Sequence, residues 1–211
     1  MGSNGTGKTT LIETIVGLQE PDAGEVHRPR NLRIGYLPQE LPDEIGRSVF
    51  EQVMLGAGPI TELARRIETL GTRIGETAGD EQNRLLVEFG EAQSRFEQLG
   101  GYAVEAAAHR ILSGLGFDPA DHDRPMDEMS GGWRMRVALA RLLLSAPDLL
   151  IMDEPTNHLD VDSVAWLEQH LASWSGGLLF VSHDRDFIDA VANRILELAG
   201  NRITEYVGGL C

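Results

Sequence analysis

At 211 residues, 42% apolar and 24% charged, the chain is long enough for one substantial core with a smaller appendage. Its formal charge of −15 repels bare phosphate backbone, which excludes non-specific nucleic-acid binding over the whole surface but not a local arginine contact. No run approaches the roughly 18 apolar residues that span a bilayer. The start has neither the basic nor the apolar stretch of a secretory signal, and the single cysteine, Cys211, permits no internal disulfide and fits a reducing compartment.

In chain order, residues 8–18 read as a helix with Leu11, Ile12, Ile15 and Val16 on one stripe and Gly17 as its exit. Pro21-Asp-Ala-Gly24 is a turn. Short strands are expected at 25–27 and 32–37, the second ending at Pro38-Gln39. Ser48 caps a helix to about residue 55, and Gly56-Ala-Gly-Pro59 breaks it. Ile60, Leu63, Ile67, Leu70 and Ile74 then recur every three or four residues. After an interruption at 75–79, Leu85, Leu86, Phe89, Gln93, Phe96 and Leu99 resume the pattern. The spacing predicts two amphipathic helices folded back as a hairpin, either packed on the body or projecting as an arm toward a partner.

Residues 102–115 form another helix, 118–125 a loop, and 133–144 a helix opened by Ser130-Gly-Gly132. Residues 149–152 are fully apolar, as in the centre of a parallel sheet. A helix at 161–172, a second buried strand at 178–181, a short helix at 184–192 and a strand pair at 194–198 and 202–206 complete the chain.

Three groups carry chemistry. Gly2, Ser3, Asn4, Gly5, Thr6, Gly7, Lys8, Thr9 and Thr10 fit a phosphate-binding loop running into a helix. Successive backbone N–H groups there turn inward around phosphates, and side chains at the glycines would block the approach. Lys8, the only lysine in the chain, reaches the terminal phosphates, and Thr9 offers its hydroxyl to Mg²⁺. Asp153, at the end of an apolar strand, suits the same metal, and Glu154 is the candidate base for an attacking water. Ser130, Gly131 and Gly132 open a helix whose free N–H groups suit an anion. Gln39 is a candidate sensor of γ-phosphate or Mg²⁺. His183 is either a γ-phosphate partner or a capping and packing residue. Trp133 reads as packing under the helix start or as a contact to nucleotide or partner. Arg134 and Arg136 read as phosphate or arm contacts, or as plain exposed helix arginines. Met1-Gly2 with Thr6 superficially fits N-myristoylation, but Gly2 is better used in the phosphate loop.

The combined pattern resembles an ATP-binding-cassette ATPase over essentially the whole chain. Residues 2–9 match its Walker A loop, Gln39 its Q-loop, and Ser130-Gly-Gly-Trp133 its signature loop. Residues 149–154 match Walker B with its glutamate, Asn157-His-Leu-Asp160 the D-loop, and His183 the switch histidine. The stretch Asp-Glu-Pro-Thr-Asn-His-Leu-Asp, the tryptophan after the signature glycines, and the hairpin at 60–99 resemble the ABC-F branch, in the position of its first cassette.

The resemblance implies an α/β P-loop NTPase fold. Residues 1–40 and 146–211 would form the catalytic core, and 41–145 a helical subdomain with the arm inserted at 60–99. It implies ATP and Mg²⁺ as ligands, with Thr9, Gln39 and Asp153 at the metal and Glu154, His183 and Gln39 in hydrolysis. A second cassette would complete the site, with Ser130, Gly131 and Gly132 serving the partner's ATP. A ribosome, through rRNA or tRNA at the arm, is the further expected partner, in the cytoplasm and without membrane insertion.

The family places strands and an adenine-stacking aromatic before the glycine loop. Met1 begins almost inside it, so the chain reads as an excised cassette. Three readings compete: the ATPase subunit of a membrane transporter, a DNA-repair cassette with a far longer insertion, and a clamp that binds ATP without hydrolysing it.

Overall fold

The apolar runs pair with one another. In the computed structural model, which describes residues 7–39, 46–199 and 202–208, β1 (Ile34–Leu37), β2 (Leu149–Asp153) and β3 (Gly177–Val181) form a parallel sheet in the order β1-β2-β3. The register sets Leu37 beside Met152 and Asp153 beside Val181, so all three strands leave the sheet on one side. Parallel neighbours need long crossovers. The whole helical region lies between β1 and β2, and α7 (Val161–Ala172) joins β2 to β3.

Two strand expectations change. Glu25, Val26 and His27 form no strand; all three are exposed, and the segment has no apolar face to bury. The strand expected from 32 begins at Ile34, because the Arg33 amide donates to the Asp148 carboxylate at 2.9 Å rather than to a ladder. The expected loop at 118–125 contains a 3-10 turn, Pro119–Asp121, with Asp118 as its cap.

Helix α1 (Lys8–Val16) ends at Gly17 in the left-handed region, as its position predicts. Ser48 caps α2 (Val49–Met54) through a reciprocal box, accepting from the Glu51 amide while Glu51 accepts from the Ser48 amide. α5 (Gly101–Gly114) and α6 (Gly131–Leu144) pack with α2, α7 and the sheet around a core that includes Val53, Leu112, Val137, Ala140, Leu150 and Met152.

The predicted hairpin forms as α3 (Pro59–Glu76) and α4 (Asp80–Gln98). It carries a small core of its own, Leu70, Leu85 and Ala92 with Ile67, Ile74 and Phe89 against them. Leu86 and Leu99, read with the stripe, stay exposed; Leu85 takes the inward position and its neighbour is turned about 100° away. α8 (Arg185–Val191) precedes an antiparallel pair, β4 (Arg194–Ala199) and β5 (Arg202–Val207).

Candidate functional site

Ligands of open parallel sheets sit outside the carboxyl ends of the strands. Here Gln39 follows β1, Asp153 and Glu154 stand at the end of β2, and Ser182-His183 follow β3. The amino end of α1 joins them: the Thr9 hydroxyl donates to Asp153 Oδ2 at 2.8 Å, across 144 residues of sequence. That bond brings the last part of the glycine loop to the buried strand-end carboxylate. Gly7 precedes α1 with φ 84, a conformation that favours glycine. Gly2, Ser3, Asn4, Gly5 and Thr6 lie outside the described residues; Gly7, Lys8, Thr9 and Thr10 lie within them.

Asp153 is buried, with 5% of its surface exposed. Burial first, then Asp153 and Glu13, pushes the nearby Tyr36 hydroxyl above its usual range. Hard oxygen donors suit Mg²⁺, and Thr9 and Asp153 supply them.

Glu154 has φ 51, rare for a residue with a side chain, and its amide donates to the Val181 carbonyl at 2.9 Å. Its carboxylate accepts from the His183 amide at 3.2 Å and lies 3.4 Å from the His183 ring Nε2. Burial raises the Glu154 carboxyl above its ordinary value, while His183 and Lys8 partly offset this. A carboxylate lifted by burial is a better proton acceptor than a solvated one. His183 is largely exposed and faces Glu154. Gln39 is exposed at the end of β1.

Ser130 precedes α6 in an extended conformation and makes no capping bond through its side chain. Ser130 and Gly131 are exposed and Gly132 is half-buried, so the helix start faces outward. Trp133 packs edge-on against Phe117 at 4.7 Å between ring centres, the packing role of its two readings. Arg134, in the first turn of α6, donates to the Met129 carbonyl at 3.1 Å, just ahead of the helix.

Arg136 is neither a phosphate contact nor an arm contact nor an exposed helix arginine. It is buried and bonds the His158 carbonyl and the Asp160 carboxylate, both at 2.8 Å. Sequence reading missed that role. The available signal was its spacing of three from Trp133, which puts both on one helix face.

A family model described as ABC transporter matches residues 1–157. The chain belongs to this family. The cassette is 39% identical over 200 residues to ABC transporter F family member 2 of Arabidopsis thaliana, covering 93% of this chain and 30% of the relative. It is 40% identical over 208 residues to the energy-dependent translational throttle protein EttA of Mycobacterium tuberculosis, covering 99% and 36%. The chain spans about a third of the length of these relatives.

Among solved structures, one described as the ATP binding subunit of an ABC transporter aligns with TM-score 0.68 at 18% identity, over 98% of this chain and 76% of that one. A complex of an archaeal ribosomal stalk protein with the ribosome recycling factor aABCE1 aligns with TM-score 0.62 at 23% identity, over 93% and 31%. Both share the fold. No helix among the described residues is long and apolar enough to cross a membrane.

Proposed function

We propose that the cassette hydrolyses ATP with Mg²⁺ at a site completed by a second cassette, and that it does so in the cytoplasm in the service of translation, as the first cassette of a longer F-type protein. The carrying observation is the meeting of Thr9 with Asp153 and of Glu154 with His183 at the carboxyl end of the sheet. In this reading 1–40 and 146–211 form the catalytic core, and 41–145 the helical part with the arm at 60–99.

The residues divide the work. Amides from Gly2 to Thr10 and the Lys8 ammonium bind the polyphosphate, helped by the positive end of α1. Thr9 and Asp153 would hold the metal, and Gln39 at the neighbouring strand end would help sense it. Mg²⁺, when bound, neutralises phosphate charge. Glu154 orients water for in-line attack and takes its proton, and His183 holds the Glu154 carboxylate in place through its amide and faces the γ-phosphate with its ring. Ser130, Gly131 and Gly132 present helix-start amides to the ATP of the partner.

Glu154→Gln in the two-cassette protein tests the reading. MgATP binding stays within about twofold while hydrolysis falls by roughly 10²-fold or more. Unchanged turnover removes Glu154 from the base role.

The translational link rests on the F-type relatives, one of which is named a translational throttle protein. The hairpin is the element fitted to touch the ribosome, at rRNA or tRNA. It has its own small core and charged outer faces.

A further inference from the structure

A buried guanidinium persists only where acceptors surround it. Arg136, 9% exposed, donates from Nε to the His158 carbonyl at 2.8 Å, and from Nη1 to the Leu115 carbonyl at 2.9 Å and Asp160 Oδ2 at 2.8 Å. Ser163 Oγ lies 3.4 Å from the same nitrogen. The cation also sits 4.6 Å from the centre of the Trp133 ring. Asp160 is shared: Oδ1 accepts from the Ser163 amide at 2.9 Å and so caps α7, leaving Oδ2 for Arg136.

Three chain segments therefore meet on one side chain. The first is the exit from α5, where Gly116 at φ 87 leaves no room for a Cβ; one there would stand 2.8 Å from Arg136 Nη1. The second is the start of α6, through Trp133. The third is the loop behind Glu154. That loop is itself chained by backbone bonds, Asn157 to Glu154 at 3.3 Å and Leu159 to Thr156 at 3.1 Å. Glu154 holds φ 51, and such backbone persists only where its surroundings over-determine it. Arg136 is the clamp at the far end of that loop.

We propose that Arg136 is a positioning residue that locks the outward-facing start of α6 and the Glu154 loop into one rigid block. On the functional reading above, on which this consequence rests, Ser130 to Gly132 serve the partner's ATP while Glu154 serves the cassette's own. A nucleotide seated in one composite site then sets the base of the other through this side chain. An ammonium cannot replace it, since a single donor point does not span His158, Leu115 and Asp160 as a planar fork does.

Arg136→Lys and Asp160→Asn test this, the second keeping a good helix cap and lying at the solvent side of the pair. Amide exchange in the nucleotide-free chain is expected to rise about tenfold in both 154–160 and 134–136, the first hydrogen-bonded amides of α6, while α1 and β2 keep their protection. In the two-cassette protein, kcat is expected to fall about tenfold or more with MgATP affinity changed less than about twofold. Loosening of the loop without the α6 start, equal loosening of β2, or an unchanged kcat overturns the proposal. Failure of the parent chain to bind MgATP sinks the nucleotide reading instead, and the exchange pattern still judges the block.

Discussion

Glu154 is held in a costly state. Its carboxyl is raised by burial, with His183 and Lys8 only partly opposing. A raised carboxyl favours the folded state while it is protonated. That contribution is complete below the unfolded value near 4.5 and is lost as pH rises through the folded value. At neutral pH the ionised group therefore weakens the fold. Glu154→Gln keeps an acceptor for the His183 amide and removes the charge, so its melting temperature at pH 7 should exceed the parent's. The gap should close below about pH 4. Thermal melts of both proteins across pH 3–8 check this, and a gap that widens in acid refutes it. Asp160 behaves oppositely: the Ser163 amide and Arg136 hold it down to about 2, so its support is present at neutral pH and fades only in strong acid.

Among elements, the close seating of the 3-10 turn Leu55–Ala57 on α6 is fixed by one missing side chain. A Cβ at Gly56 would stand 2.3 Å from the Arg141 backbone oxygen, and a helix carbonyl has little freedom to yield. Gly56→Ala should cost about 1–3 kcal/mol, read as a lower urea midpoint at unchanged slope. This scale also separates what the sequence declares from what it conceals. Contiguous signals are legible: the Ser48 cap, the glycine exit of α1, the hairpin stripe, and the acids at the end of β2. The strand expected at 25–27 is absent because three exposed residues with one valine offer no apolar face to a partner. The Thr9–Asp153 bond crosses 144 residues, and the Arg136 partners lie 21 to 27 residues away. No local pattern encodes such pairings; packing of α5, α6 and α7 does.

Over the whole molecule, charge constrains how the arm would meet a ribosome on the proposed reading. Residues 60–99 hold five arginines and eight carboxylates in a chain of net −15. Arg65 pairs with Glu62 at 2.7 Å, Arg66 with Glu88 at 3.4 Å and Arg73 with Glu81 at 3.7 Å. Few cations remain to displace counterions. Deleting 60–99 should abolish co-sedimentation with ribosomes yet leave MgATP affinity unchanged. The parent's association should fall with salt at a logarithmic slope no steeper than about −3. A steep slope, or retained co-sedimentation after deletion, rejects the arm as the contact.

The far edge of β3 bears on how such a molecule can be handled. Among the described residues β3 pairs only with β2, and Leu178, Leu179, Phe180 and Val181 are half-buried beside a groove of about 900 Å³ that reaches α1 and β4. Main-chain donors and acceptors along an apolar rim make an adhesive seam for any extended peptide. Left open, that seam makes solubility a question of company: whatever strand lies against it decides whether the molecule stays single or zips onto its neighbours.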